Sequence, residues 1–276
     1  MLYICATPIG NLSDITPRVI DTLREVDLIA AEDTRNSIKL LNHFDIKTPM
    51  TSYHEFNKYD KADELVIKMQ SGINVALITD AGTPAISDPG EVLVKKCHDT
   101  GIPVTSLPGA CACITALTLS GLSTRRFVFE AFLPSDKKER KEILSELENE
   151  TRTIIIYEAP HHLLNTLNEL FDTLGDRNIT LCKELTKKFE NINRTTIKNA
   201  IDYYTENDPK GEFVLVIEGK SREEIKMEKR ASFEEMTIND HMELYLSKGY
   251  DKKEAMKLVA KDRGVSKRDI YNSLLD

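Results

Sequence analysis

The most informative segment of the chain is VALITDAGTP at residues 75–84. Residues 75–79 are mainly apolar on both faces of an extended chain, as strands buried in parallel sheets usually are. Residues 79–90 contain two glycines and two prolines, and their small side chains let the backbone contact a ligand. In open α/β sheets, ligands bind beyond the carboxyl ends of strands, so we predict a ligand-binding loop here. The alternative is a structural loop that closes onto a helix at Glu91.

The alternation of strand and helix extends over the first 120 residues. Thr16 and Pro17 fit the cap and first position of a helix that follows the first strand. The predicted strands are 2–7, 28–31, 75–79 and 104–107, and the predicted helices are 17–26, 37–44, 61–69, 91–98 and 110–119. Alternation at this spacing indicates a parallel α/β sheet, and we place the first domain at residues 1–121.

A second α/β domain and a helical module are predicted downstream. The second domain, residues 127–219, has predicted strands at 127–132, 153–157, 180–182 and 213–217, with helices at 138–147, 163–174 and 197–204. Residues 220–232 are polar and charge-rich and are interpreted as a linker. The module, residues 233–276, has predicted helices at 238–247, 252–263 and 267–275. A glycine-containing turn before the last helix is typical of a helix-turn-helix.

The composition excludes several classes of protein. The 276 residues contain 45 Asp and Glu against 37 Lys and Arg, and a net charge of -8 argues against a basic protein that coats nucleic acid. No apolar run is long enough to span a membrane, and the first residues lack the features of a signal peptide. Five scattered cysteines without a C-x-x-C spacing argue against a disulfide framework and a zinc site. We therefore expect a cytoplasmic protein with no metal ligands and no membrane contact.

Two more loops join predicted strands to helices. Residues 6–12 have one glycine and one proline where a dinucleotide-binding fold needs three spaced glycines. Glu32 and Asp33 do lie about 20 residues further on, where such a fold places a ribose-binding acid. The missing glycines are the part with the strongest mechanism, so the pattern favours a plain tight turn over a dinucleotide site. Residues 106–113 form the other loop and include Cys111. This cysteine has no basic neighbour in sequence that would lower its pKa, which favours a packing role over a nucleophilic one.

Together, the loops resemble those of the tetrapyrrole-methylase superfamily, and within it those of the enzymes that methylate small-subunit ribosomal RNA. The motifs are TPIGNLSDIT at 7–16, AAEDTR at 30–35, TDAGTP at 79–84 and LPG at 107–109. The resemblance extends into the second domain through FLP at 132–134, Tyr157-Glu158 and KELTK at 183–187. It covers residues 2–219 in order, and several ordered motifs are far more specific than one. Members of this family also carry a C-terminal helical appendage.

The resemblance implies a fold, a cofactor and a reaction. The fold is α/β, with two tetrapyrrole-methylase-like domains, S-adenosylmethionine in the cleft between them, a small all-α module and usually a homodimer. The reaction is methyl transfer to the ribose 2′-hydroxyl of a decoding-centre cytidine of 16S ribosomal RNA, within the small ribosomal subunit. The implied cofactor contacts are Pro8, Ile9, Asp80, Ala81, Gly82, Ala85, Ile86, Cys111, Ala112, Tyr157, Glu158 and Leu185. Relatives that methylate tetrapyrroles have a glycine-rich first loop, so its replacement here disfavours a tetrapyrrole substrate.

Such a reaction asks the protein mainly for positioning, because a sulfonium cofactor already activates the methyl group. A ribose hydroxyl is a poor nucleophile, so a base or a cation near the developing alkoxide would help. The candidate catalytic residues are Glu32, Asp33, Arg35, Glu184 and Lys187. Arg35 is also suited to hold a phosphate. The alternatives are Asp33 as a helix N-cap beside a solvated Arg35, and ordinary surface lysines at residues 183–188.

The C-terminal module is locally basic. Residues 248–268 hold eight Lys and Arg against three Asp and Glu, which suits contact with RNA phosphates but also a solvated packing module. Two other functions are possible: a methyltransferase of the same fold acting on tetrapyrrole-like small molecules, and a ligand-sensing DNA regulator. Residues 31–35 favour the ribosomal enzymes over the first. The large enzyme-like body argues against the second, so we expect no DNA partner.

Overall fold

The structure is a computed structural model that describes residues 1–274, except for the side chain of Glu234. The chain divides into two units. The first consists of Met1–Leu147 and Arg152–Glu218, and the second of Glu148–Thr151 and Gly219–Asp276. None of the helices within residues 1–274 combines the length and the hydropathy needed to cross a bilayer.

The first unit contains two five-stranded sheets. The strands of the first sheet are β1 (Leu2–Cys5), β2 (Leu28–Ala31), β3 (Met50–Ser52), β4 (Val75–Ile78) and β5 (Val104–Leu107). They are all parallel, in the order β3-β2-β4-β1-β5. β4 is central and buried along its whole length, so the interpretation of residues 75–79 as a buried parallel strand is confirmed. The short edge strand β3 was not predicted, because three residues give too little pattern.

Helices cover both faces of the first sheet. They are α1 (Pro17–Glu25), α2 (Thr34–His43), α3 (Lys58–Gln70), α4 (Gly90–Asp99) and α5 (Ala112–Ser120). Thr16 caps α1 as predicted, since its hydroxyl accepts the N–H of Val19 at 3.3 Å. Successive side chains of β4 pack on opposite faces of the sheet. Leu77 belongs to the core with α3 and α4, and Ile78 belongs to the core with α1 and α2.

The second sheet is mixed. Its strands are β6 (Phe127–Phe132), β7 (Thr153–Glu158), β8 (Asn178–Lys183), β9 (Asn191–Thr196) and β10 (Phe213–Ile217), in the order β6-β7-β10-β8-β9. β6 runs parallel to β7, and the other pairs are antiparallel. The accompanying helices are α6 (Lys137–Leu147), α7 (Leu163–Leu174) and α8 (Ile197–Glu206). β9 was not predicted, because this polar edge strand has no buried face that would impose an apolar pattern.

Helix α5 lies against the second sheet as well as following the first. Its residues Cys113, Ala116 and Leu117 are buried in one cluster with side chains of β7, β8 and β10. This explains why the helix is apolar on nearly every side, whereas an ordinary surface helix shows one apolar stripe. Full burial of a leucine side chain such as that of Leu117 contributes about 1.5–3 kcal/mol to the free energy of unfolding. Contact with α5 therefore sets where the loop before it stands relative to the second sheet.

The second unit is helical. Its helices are α9 (Arg222–Glu235), α10 (Ile238–Leu246), α11 (Lys252–Arg263) and α12 (Lys267–Ser273). Their shared core contains Met242, Ala255, Val259, Ala260 and Ile270. The turn before α12 depends on Gly264, whose φ of +67° is in the left-handed region that favours glycine. The helical module is confirmed, although Leu275, the predicted end of its last helix, lies outside the described residues.

The prediction of a linker at residues 220–232 is wrong, because α9 occupies most of that segment. Ser221 begins the helix with a capping box: its hydroxyl accepts the N–H of Glu224, and the Glu224 carboxylate accepts the N–H of Ser221. Residues 222–235 contain no glycine or proline that would interrupt a helix. High charge alone does not distinguish a solvated helix from a linker. The capping box at Ser221 and Glu224 was the sequence signal that indicates a helix here.

Candidate active site

A cavity of about 430 Å³ lies between the two sheets of the first unit, within the size range of small-molecule sites. One wall is formed by loops at the carboxyl ends of β1, β2, β4 and β5. The other is one edge of the second sheet, where Phe213 at the start of β10 pairs with Glu158 of β7 and Lys183 of β8. The position agrees with the rule that open α/β sheets bind ligands beyond the strand ends.

Asp88 braces the loop that follows β4. Its Oδ1 accepts the N–H groups of Ala85 at 3.0 Å and Gly90 at 2.8 Å, and its Oδ2 accepts that of Ile86 at 3.2 Å. Burial raises the pKa of Asp88, and these backbone donors oppose the rise. Ala85 and Ser87 have φ values of +68° and +69°. Left-handed backbone at non-glycine residues is strained and clusters at ligand sites.

The loop after β1 is tied to the loop after β4. Thr7 and Gly82 exchange two backbone hydrogen bonds, of 2.8 and 3.1 Å. The hydroxyl of Thr7 donates to the carbonyl of Thr79 at 3.1 Å. Ile9 follows and is 9 % exposed, with its side chain on the cavity. The two loops therefore form one continuous wall.

A hydrogen-bond network joins the ends of β2 and β4. Oε2 of Glu32 accepts the hydroxyl of Thr79 at 2.5 Å and the N–H of Asp80 at 3.4 Å. The Asp80 carboxylate in turn accepts the N–H of Asp33 at 3.2 Å and the amide of Asn36 at 3.0 Å. Asp80 therefore helps to hold the start of α2, and Glu32 keeps its Oε1 without a partner among residues 1–274.

Asp33 and Arg35 pair with each other. Asp33 caps α2 by accepting the N–H of Arg35 at 2.8 Å, and its carboxylate also accepts Nε and Nη2 of Arg35 at 3.0 and 2.7 Å. The Arg35 side chain and then its backbone N–H lower the pKa of Asp33 to about 2. The guanidinium is 88 % exposed. The sequence left two alternatives, Asp33 as a helix N-cap and Arg35 as a phosphate-binding residue. They are compatible, because the carboxylate that caps α2 also orients the exposed guanidinium of Arg35.

Lys187 lies between two carboxylates beside the cavity. Its Nζ donates to Glu184 and to Glu212, both at 2.9 Å, and Glu212 lines the cavity. The N–H of Glu212 and then Lys187 lower the pKa of Glu184. Burial opposes protonation of Lys187, but the two carboxylates outweigh it and raise its pKa. A Cβ added to Gly10 would meet the carbonyl of Leu185 at 2.9 Å, so the loop after β1 presses directly on this segment.

Tyr157 and Glu158, at the end of β7, are held by neighbours in the first unit. The Tyr157 hydroxyl accepts the N–H of Cys113 in α5 at 3.0 Å, and burial raises its pKa. Glu158 is 5 % exposed. Its carboxylate accepts the N–H of Ala159 at 2.8 Å and the hydroxyl of Thr166 at 2.5 Å. Glu158 therefore fixes the wall rather than offering a free base.

Cys111 is the N-cap of α5 and lines the cavity. Its Sγ lies 3.4 Å from Sγ of Cys113. The Cys113 thiol, and then the N–H groups of Ile114 and Cys113, lower the pKa of Cys111 below that of an ordinary thiol. The expectation of an ordinary thiol rested on the absence of a basic neighbour in sequence. The acidifying groups are instead a second thiol and a helix N-terminus, whose N–H groups favour an anion.

The cavity brings together most of the predicted cofactor contacts. Those on its lining are Ile9, Asp80, Ala81, Gly82, Ile86, Cys111, Ala112, Tyr157, Glu158 and Leu185. Pro8 and Ala85 are next to lining residues but are not on the lining itself. Ten further lining residues were not named as cofactor contacts, although Thr79, Thr83, Ser87 and Asp88 lie in the predicted ligand-binding loop and Phe132 in the FLP motif. The other five are Ala159, Cys182, Glu212, Phe213 and Val214. The lining residues of the second sheet lie at or next to strand ends that meet at the same end of the sheet. That position is the one signal by which they could have been found.

The predicted catalytic residues separate into two groups. Glu32 is on the cavity lining. Asp33, Arg35, Glu184 and Lys187 are not, but each is linked to a lining residue directly or through one partner, by way of Asp80 or Glu212. Among the described residues, no group of three or more His, Cys, Asp or Glu is arranged to hold a metal ion.

Comparison with known proteins agrees with this architecture. The family model for tetrapyrrole (corrin/porphyrin) methylases matches residues 1–201. A solved diphthine synthase shares the fold at a TM-score of 0.61 and 14 % identity, over 80 % of this chain and 90 % of that one. The chain therefore belongs to the tetrapyrrole methylase family.

Two curated relatives narrow the family. A protein of Synechocystis sp. is 49 % identical over 100 % of this chain and 98 % of its own length. One of Bacillus subtilis is 48 % identical over 99 % of this chain and 93 % of its own. Both are named ribosomal RNA small subunit methyltransferase I, and the chain belongs to that branch of the family.

Proposed function

We propose that the chain is an S-adenosylmethionine-dependent methyltransferase of 16S ribosomal RNA. The observation that carries this proposal is the charge of the cavity wall. Its carboxylates belong to Glu32, Asp80, Asp88, Glu158 and Glu212. None of the lining residues that the structure describes is a Lys, Arg or His. S-adenosylmethionine brings a sulfonium and an ammonium cation, which such a wall attracts. The pyrophosphate of a dinucleotide would meet several carboxylates and no cationic side chain on the described wall, which argues against the dinucleotide alternative.

The rest of the wall suits an adenosyl group. Small residues such as Ala81, Gly82 and Ala112 let a ligand approach the backbone, and the rings of Phe132 and Tyr157, 5.6 Å apart, offer aromatic surface. When bound, the cofactor supplies an activated methyl group. The protein must then exclude water, hold the acceptor in position and accept the proton that the acceptor hydroxyl loses.

Glu32 is the residue that we assign to the acceptor hydroxyl. Oε2 is already occupied by Thr79, so Oε1 is the oxygen that can accept the proton of a ribose 2′-hydroxyl. The proposed acceptor is a decoding-centre cytidine. This finer assignment rests on the resemblance of the motifs, including Asp33 and Arg35, to those of the ribosomal enzymes.

The four remaining candidates are proposed to have positioning roles, Asp33 and Arg35 toward the RNA, and Glu184 and Lys187 toward their own segment of the chain. Arg35 is exposed, and Asp33 holds it through Nε and Nη2, so Nη1 faces no partner within residues 1–274 and suits a phosphate. Lys187 has its charge balanced by Glu184 and Glu212. We assign it to holding the 183–190 segment in place.

The second unit offers another surface for RNA phosphates. On α11 and α12 the exposed cations without an ion pair among the described residues are Lys252, Lys253, Lys257, Lys261, Lys267 and Arg268. Of the nearby acids, Asp251 and Asp269 accept backbone N–H groups at the starts of α11 and α12, and Asp262 accepts the hydroxyl of Tyr245. Glu254 is exposed and leaves the cations in excess. A net excess of uncommitted cations in an acidic chain favours phosphate binding over simple solvation.

The assembled small ribosomal subunit is the proposed partner, because an acidic chain gains little from free RNA. A homodimer in the cytoplasm is the proposed state, supported by the resemblance to this superfamily. Sedimentation or light scattering of the purified chain tests the dimer, and a monomer at micromolar concentration would contradict it.

The decisive experiment measures methyl transfer from labelled S-adenosylmethionine. The acceptors are 30S particles and free 16S RNA from cells that lack this protein, with a tetrapyrrole precursor and duplex DNA as alternatives. We expect incorporation into 30S particles, and nucleoside mass spectrometry should find 2′-O-methylcytidine. Methylation of a base would refute the 2′-O assignment alone, whereas incorporation only into the tetrapyrrole would refute the RNA substrate.

A further inference from the structure

Two thiols meet at the wall of the cavity, and the proposed methyl transfer uses neither. Cys111 is partly exposed and lines the cavity, Cys113 is buried in the first turn of α5, and their Sγ atoms are 3.4 Å apart. We propose that Cys111 and Cys113 are a peroxide-sensitive pair whose oxidation to a disulfide blocks cofactor binding. The second part of this proposal rests on the proposed function, because it takes the cavity as the cofactor site.

Cys111 differs from the other cysteines in accessibility and in acidity. Cys5, Cys97 and Cys182 are fully buried, and burial raises their pKa values to about 12, 11 and 12. Cys111 opens onto the cavity, and Cys113 together with the start of α5 lowers its pKa. Because the thiolate is the reactive form of cysteine, oxidants that enter the cavity should react at Cys111 first.

The chemistry needs a hydroperoxide as oxidant. The Cys111 thiolate attacks one peroxide oxygen, the O–O bond breaks, and the departing oxygen takes up a proton to leave as water or an alcohol. The product on Cys111 is a sulfenic acid. The sulfur of Cys113 then attacks the sulfenic sulfur and loses its proton, and hydroxide leaves to form water. The two thiols together lose two electrons and two protons, and the hydroperoxide is reduced.

Closing the bond moves the cavity wall. The sulfurs must approach from 3.4 Å to about 2.0 Å. Cys113 is held by packing against the second sheet and by its N–H bond to Tyr157, so the displacement falls mainly on Cys111 and the loop before it. This loop includes Ala110, whose carbonyl accepts the hydroxyl of Thr83, another lining residue. A bridge between cysteines separated by a single residue is strained, and strained disulfides are readily reduced.

The test uses the full, reduced chain treated with hydrogen peroxide. Intact mass and peptide mapping should show loss of two hydrogens, with the new bond between Cys111 and Cys113. Calorimetry should show at least tenfold weaker binding of S-adenosylmethionine, restored by dithiothreitol. A separate series with iodoacetamide should alkylate Cys111 at a rate that rises with pH over a lower range than for an ordinary thiol, because the reactive thiolate forms at lower pH.

Variants separate the proposal from general oxidation. Cys113→Ser should stop at the sulfenic acid, which dimedone labels on Cys111, and should form no disulfide. Cys97→Ser is the matched control and should behave as the parent chain does when each variant is compared with its own untreated sample. Absence of the disulfide, or a disulfide with unchanged cofactor affinity, would overturn the proposal. A reduced chain that never binds S-adenosylmethionine would refute the proposed function instead, while mass analysis would still report the thiol chemistry.

Discussion

The hydroxyl of Thr79 donates a 2.5 Å hydrogen bond to Oε2 of Glu32, which joins the ends of β4 and β2 at the cavity wall. The backbone N–H of Asp80 adds a longer bond of 3.4 Å to the same oxygen. The carboxylate is therefore held through one oxygen, while the other has no partner among residues 1–274. This arrangement suits a base that must be oriented and still accept a proton.

The first prediction concerns that carboxylate. Glu32→Gln keeps the shape of the side chain and removes the base, so kcat for methylation of 30S particles should fall about 10²–10⁴-fold. Affinity for S-adenosylmethionine should change less than tenfold, because four other carboxylates remain on the wall. Single-turnover transfer and calorimetry measure the two effects. Glu25→Gln, at the end of α1, is the control, and a fully active Glu32→Gln enzyme would exclude Glu32 as the base.

The second prediction concerns the exposed guanidinium beside Asp33. Arg35→Ala should raise KM for 30S particles about tenfold and flatten its dependence on salt, because one phosphate contact is lost. Affinity for S-adenosylmethionine should be nearly unchanged, since Arg35 is not on the cavity lining. Arg24→Ala, at an exposed position on α1, is the matched control. Equal losses of RNA methylation and cofactor affinity would indicate that Arg35 has a structural role.

The third prediction concerns the contact between the two walls. Gly10→Ala would bring a Cβ to 2.9 Å from the Leu185 carbonyl and against the side chain of Lys187. Relief requires the loops to move apart, at a cost of about 1–3 kcal/mol in the free energy of unfolding. Chemical denaturation and calorimetry with S-adenosylmethionine should both show the loss. Ser13→Ala, an exposed change nearby, should be neutral, and a neutral Gly10→Ala would show that this contact does not shape the cavity.

The fourth prediction concerns the second unit. The double change Lys267→Ala with Arg268→Ala should weaken binding to 30S particles and lower the slope of log affinity against log salt by about 0.7–0.9 for each lost phosphate contact. The matched control is Lys226→Ala with Lys229→Ala on α9, where both side chains are also exposed. Filter binding over a salt series measures both variants. Identical slopes would identify the last two helices as a packing module.

Sequence reasoning succeeded where a single segment carries the physical signal. The buried strand at residues 75–78, the cap at Thr16 and the turn at Gly264 all follow from local pattern or backbone conformation. It failed for β9, which is too polar to show a pattern, and for α9, where charge concealed a helix. In both cases solvent exposure removed the apolar periodicity that predictions depend on.

The amino-acid sequence alone determined the parallel sheet, the helical module and the loops of small residues at strand ends, because each depends on residues close together in the chain. Only the tertiary structure decided which of those loops share a cavity, and that the described part of its wall carries carboxylates but no Lys, Arg or His. It also decided the state of individual groups. Glu32 is held by Thr79, 47 residues away, and the pKa of Cys111 is lowered by the thiol of Cys113 and then by the start of a helix, not by a basic residue. Hydrogen bonding and burial depend on distances in space, and the fold sets those distances.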